Sequence, residues 1–135
     1  MDKHLYKIPA ILYSIMIFLL SSMPQNRIPR VEIFGFDKIV HFCEYTIYAL
    51  TLMLAYTRAK RPAIYKNAFV VSVITGAVYA ASDEFHQLFV AGRDCSLVDF
   101  TADTLGLILG AYLFTRIVKY RNPDDELVFR KTSHK

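Results

Sequence analysis

Between positions 82 and 103 the chain reads SDEFHQLFVAGRDCSLVDFTAD. Acids, a histidine, a glutamine and an arginine crowd into this one stretch, with long apolar runs on both sides. Groups of these types move protons, hydrogen-bond sugars or peptides, and hold phosphates or cations. Their spacing is helical. Asp83 and Gln87 stand at i, i+4 and share a face, with Glu84 one step around, and Asp99 and Asp103 repeat that spacing further on. Upstream, Lys38, His41 and Glu44 follow one another at i, i+3, i+6. With Tyr45 and Tyr48 they cover about one side of a helix.

Each residue also has a plainer reading when taken alone. Lys38 at a helix entrance snorkels to an interface, and a lone His41 in an apolar helix is a hydrogen-bonded packing residue. Ser96 three residues before Asp99 is the pattern of a capping box that opens a helix. Asp83 and Arg93 make a structural ion pair that ties down a loop. His86 falls on the other side of its helix as an interfacial residue, and Tyr79 and Tyr112 belong to an aromatic belt. The plain readings leave one thing unexplained, which is that so many of these residues fall at neighbouring helix ends.

The elements that must position these residues are apolar. Of 135 residues, 54% are hydrophobic and 21% charged, with only five Gly and five Pro, and the mean hydropathy is +0.29. One domain of this size would expose too much apolar surface in water, so the composition points to a small multi-span membrane protein. Four runs fit transmembrane helices, at about 8–23, 39–56, 65–85 and 97–118, within a domain of residues 1–121, and 122–135 form a tail. The first run opens at Pro9, which a helix first turn accepts. SSMPQNR behind it is no signal-cleavage site, so a retained helix is expected. The third run reaches about 20 residues only by taking in Tyr65 or part of DEFHQLF. Gly106 and Gly110 in the fourth give a small-residue face for close packing.

The formal charge of +4 is placed by topology. Lys3 and Lys7, then Arg58, Lys60, Arg61 and Lys66, then Arg116, Lys119 and Arg121 occupy three segments that a four-span chain puts on one side. The positive-inside rule makes that side cytoplasmic, with both termini inside and the tail in the cytoplasm. Nucleic acid is therefore not an expected partner. The other two links, 24–38 and roughly 83–96, mix acids with bases and fall outside. Cys43 and Cys95 set no redox compartment and read as inert thiols. All the unusual ionisable residues then gather at the outer face. A carboxylate in hydrocarbon costs roughly 2.5–3.5 kcal/mol on insertion scales, so they must face one another, an ion or a wet cavity. Lys38 and Arg93 are the natural counter-charges.

The ordered set Lys38-x-x-His41-Phe42-x-x-Tyr45, Ser82-Asp83-Glu84-x-x-Gln87-x-Phe89, Arg93, Ser96-x-x-Asp99 and Gly106-x-x-x-Gly110 resembles the VanZ family. These are small bacterial membrane proteins named after a glycopeptide-resistance accessory protein associated with teicoplanin. The resemblance covers about residues 36–112. It carries the family's polar positions onto Lys38, His41, Asp83, Glu84, Gln87, Arg93, Ser96 and Asp99, and it implies a cell-envelope role in the bacterial cytoplasmic membrane. The chain departs from the family pattern with Asp103 where Asn is common, and with VAGR where many members have Pro before the Arg.

Three functions compete. In the first, an outward pocket binds an envelope lipid, a lipid-linked cell-wall precursor or a glycopeptide. Lys38 and Arg93 hold an anionic headgroup there, and Gln87, Ser96, Asp103 and Tyr45 complete the lining. In the second, a membrane-embedded hydrolase or transferase uses His41 and Glu84 as acid and base, with Asp83 and Asp99 beside them and Ser96 or water as nucleophile. SDEFHQ matches no established catalytic motif. In a metal-assisted variant, Asp83, Glu84, Asp99 and His41 hold a divalent cation. Its ligands come from three helices, so spacing assigns none of them, and the cofactor stays unknown. The third function is a transporter, for which the inner helix ends lack acids. The topology makes a direct prediction. In a cysteine-free background, an impermeant thiol reagent applied outside labels a cysteine placed beside Arg93 and spares one beside Arg61. The reverse pattern would invert the orientation.

Overall fold

A computed structural model describes residues 5–27 and 35–121, with side chains through 118. Residues 28–34, in the link expected outside, and the expected tail at 122–135 lie outside the described residues. So do Lys3 and the side chains of Lys119 and Arg121 from the positive-inside count. Helices α1 (Ile8–Ser21), α2 (Phe36–Thr57), α3 (Pro62–Tyr65), α4 (Ala68–Gln87) and α5 (Leu97–Arg121) follow in order, with 3-10 turns at Leu5–Lys7 and Gln25–Arg27. Three of them, α2, α4 and α5 up to Val118, are long and apolar enough to cross a membrane. The stretch Leu5–Ser21 is a shorter apolar helix. At about 1.5 Å per residue it spans roughly 25 Å, against about 30 Å of hydrocarbon.

Local chemistry explains the boundaries. Pro9 lies in the first turn of α1, where the missing N–H costs no hydrogen bond. Gly35, with φ +76°, stands ahead of α2 in a left-handed conformation suited to glycine. The third span gains its length at the C-terminal end rather than at Tyr65. Pro62 starts a separate single turn that ends at Tyr65, and Asn67 then breaks the helical path while its Nδ2 donates to the Ala63 carbonyl at 2.9 Å. As a result α4 runs through Asp83, Glu84 and Gln87.

The helices alternate in direction. Near the start of α1 the Arg58 guanidinium lies over the Tyr6 ring, so α1 begins where α2 ends. At the other end of α1, Phe18 stacks on His86 and Ser22 hydrogen-bonds its ring at 3.0 Å, beside the end of α4. His86 is thus a clasp between two helices. Tyr79 likewise packs inside rather than in a belt, because its hydroxyl donates to the Ser14 carbonyl at 2.6 Å. Tyr48 reaches the same place and donates to Ser14 Oγ at 2.8 Å, since that hydroxyl is already donating to Ala10. Tyr45, Tyr48, Ala49, Leu52, Ala80 and Leu107 form the core beneath these contacts.

The closest helix pair is α2 with α5. A Cβ on Gly106 would collide with the Phe42 carbonyl oxygen, and one on Gly110 with the Thr46 carbonyl oxygen. The small-residue face therefore packs backbone on backbone against α2. Both obstacles are main-chain atoms that no rotamer change can move. Gly106→Ala and Gly110→Ala should each destabilise the protein by about 1–3 kcal/mol, read as a lowered midpoint in SDS titration from mild detergent. Gly35→Ala meets no atom within 4 Å and should lose only the left-handed penalty of about 1 kcal/mol.

Candidate functional site

The alternating directions bring the end of α4 and the starts of α2 and α5 together, and with them almost every ionisable residue singled out above. His41 Nδ1 donates to Asp103 Oδ1 at 3.0 Å, linking α2 to α5. Asp103 is fully buried at 0% exposure, and its other oxygen has no hydrogen-bond partner. One turn earlier on both helices, Lys38 Nζ lies against Asp99 Oδ1 as an ion pair, although the contact lacks hydrogen-bond geometry. The same ammonium reaches Asp37 at 2.7 Å near the surface. Lys38 therefore joins an exposed acid to a buried one.

Ser96 is the N-cap the sequence suggested, and its Oγ accepts from the Asp99 N–H at 3.2 Å. The return bond of a capping box comes from a different residue. The Ser96 N–H donates to Glu84 Oε2 at 2.7 Å, so a carboxylate at the end of α4 caps the start of α5. That exchange frees the Asp99 side chain for Lys38. Glu84 is only 3% exposed, and its Oε1 has no partner.

Asp83 accepts from Gln87 Nε2 at 3.2 Å within the same helix. It makes no ion pair with Arg93 among the described residues. The Arg93 Nε instead makes a 3.5 Å contact with the Met23 carbonyl, next to the Gln25 N–H to Ala91 carbonyl bond that ties the two links together at this end. Tyr45 is completely buried, with its hydroxyl unpartnered. Glu44 is half-buried with a free Oε1, and the sequence sets it in the polar stripe of α2 without giving it a role in the site. Its signal was available, because it is a carboxylate one turn beyond His41 in an apolar helix. Cys43 and Cys95 are both free and exposed. A groove of about 330 Å³ lined by Lys7, Ile11, Ser14, Tyr48, Leu52 and Tyr56 lies between α1 and α2, away from this cluster.

What the arrangement offers is a set of carboxylates from Glu44, Asp83, Glu84, Asp99 and Asp103 facing one lysine and one imidazole inside an apolar bundle. One ligand atom from each of His41, Glu84 and Asp99 lies within 4.8 Å of the other two. Asp83, grouped with them on sequence grounds, is not part of that trio.

An apolar bundle of antiparallel helices with an ionisable cluster buried at one end defines a helical membrane protein with a polar site. The chain belongs to the VanZ/LLP1 family, whose model matches residues 4–119. No curated protein and no solved structure gives a match.

The His41–Asp103 pair can be tested directly. Removing one partner leaves a buried polar group of the other without a hydrogen bond. His41→Leu and Asp103→Leu should each cost about 1–3 kcal/mol, while the double substitution recovers most of the loss. A double-mutant cycle on unfolding in detergent reads this, and simply additive costs would show that the pair does not couple the helices.

Proposed function

We propose that the chain binds the anionic headgroup of an envelope lipid or lipid-linked cell-wall precursor where these helix ends meet. In this reading the first apolar helix is the fourth span, the basic ends face the cytoplasm and the site opens outward in the bacterial cytoplasmic membrane. The observation that carries the proposal is the convergence of Lys38, His41, Glu84, Asp99 and Asp103, from three helices, in an apolar bundle with carboxylate oxygens still unpartnered. Such a cluster is costly to insert, and residues kept at that cost mark a binding or reaction site.

Two side chains suit an anionic headgroup. Lys38 is partly exposed while touching buried Asp99, so its ammonium stands at the mouth of the cluster. Arg93 is half-buried and, among the described residues, has no acidic partner, which leaves its planar guanidinium for a phosphate. Buried carboxylate and amide groups below would accept and donate to sugar or peptide, and the apolar outer faces of the helices would lie along the acyl chain. Holding a precursor or a glycopeptide at this face is the route by which the chain would contribute to teicoplanin resistance.

One observation favours a second reading, a membrane-embedded hydrolase or transferase. The Asp103 carboxylate orients the His41 ring, the arrangement of a general base. Ser96 is a poor nucleophile in this reading because its hydroxyl is the N-cap of α5, so water would attack.

Binding to nanodiscs carrying anionic phospholipid or lipid-linked precursor separates the two. Lys38→Ala and Arg93→Ala should each weaken binding about tenfold, in proportion to the roughly 1–2 kcal/mol of a charge-assisted contact. In the enzyme reading, Glu84→Gln abolishes turnover with the fold and binding retained. Unchanged affinity in both cation variants would rule out the headgroup proposal.

A further inference from the structure

We propose that His41, Glu84 and Asp99 are the ligands of a divalent cation of the Zn2+ or Mn2+ kind. Three features of the cluster support this. The first is convergence, since one ligand atom from each of the three residues falls within 4.8 Å of the others although they come from α2, α4 and α5. A cation about 2.0–2.2 Å from each ligand would set them about 3–4 Å apart, so closing on the ion requires side-chain adjustment and no movement of helices.

The second is an unmet ligand atom. Glu84 is more than nine-tenths buried, Oε2 is taken by the Ser96 N–H, and Oε1 has no protein partner. A buried carboxylate oxygen without a donor needs something to bind. The third is the state of the imidazole. Asp103 accepts from His41 Nδ1, which leaves Nε2 with its lone pair available to a metal. A carboxylate behind a ligating histidine is the usual outer support of a metal site.

The charges balance as well, because two carboxylates and a neutral imidazole compensate a divalent ion. One nitrogen with two oxygens suits Zn2+ or Mn2+. Three protein ligands also leave a coordination position open, as in sites that receive a ligand rather than closed structural ones. Lys38 is a competitor in this arrangement because its ammonium lies on Asp99. Only the identity of the incoming ligand, a phosphate oxygen of the headgroup, rests on the function proposed above. The cation site itself is measurable with no lipid present.

The full chain in detergent, stripped with a chelator, is titrated with Zn2+ by calorimetry and with Mn2+ by electron paramagnetic resonance. One equivalent of either ion is expected. Affinity should fall at least tenfold in Glu84→Gln and Asp99→Asn, and about tenfold to a hundredfold in Asp103→Asn, where only the support of His41 is altered. Lys38→Met should tighten binding severalfold by releasing Asp99. It removes no ligand, so it keeps the test open if a ligand variant fails to fold by circular dichroism or gel filtration. Binding of neither ion, or binding that all four variants leave unchanged, overturns the site. Retention of anionic phospholipid from vesicles, with inorganic phosphate as the free-ion control, is measured separately. Loss of lipid binding alone would overturn the headgroup reading, and loss of cation binding alone would overturn this one.

Discussion

Where Gly106 and Gly110 face α2, the backbones of α2 and α5 come as close as residues without a Cβ allow. That approach lets His41 reach Asp103, 62 positions away, and puts Lys38 against Asp99 one turn earlier. Hydrophobic burial drives little association between helices in lipid, so close packing and interhelical polar contacts hold them together. Here both occur along the same pair of helices. The glycines set the separation and the ionic contacts set the register, since sliding α5 by one turn would move Asp99 to the level of His41 and leave Asp103 in the apolar core.

The third helix of the cluster joins by a different contact. Glu84 at the end of α4 accepts the N–H that opens α5, which makes the short loop between them part of the site's frame. Glu84 therefore has one oxygen in a structural role and one available for a ligand. Gln87 and Asp83 complete this end of α4 by bonding each other. Midway along the bundle the aromatic residues of α2 and α4 make ordinary polar contacts with Ser14 of α1.

Membership of the VanZ/LLP1 family and the geometry of the cluster are consistent with each other in a specific way. Of the polar positions that the resemblance marks, Lys38, His41, Glu84 and Asp99 lie together, Ser96 caps α5, Asp83 and Gln87 bond each other, and Arg93 stands at the margin. Asp103 is the most buried acid among the described residues and the partner of His41.

Much of this was readable in the residues themselves. Apolar run lengths marked the membrane-type helices, Ser96 announced the start of α5, the glycine pair announced a close contact, and the cost of acids in hydrocarbon required them to meet. Partner choice was not readable. The plain reading of the residues tied Asp83 to Arg93 and named no partner for Asp103, whereas the fold pairs Asp83 with Gln87 and Asp103 with His41. The sequence also allowed four ligands for a cation, of which three converge. The physical reason is that spacing fixes which residues share a face of one helix, but not how that helix is rotated against its neighbours. Helices that are apolar nearly all round carry a weak record of their own rotation. That rotation is set by backbone contact at Gly106 and Gly110 and by the Glu84 cap, both of which exist only once α2, α4 and α5 are packed together.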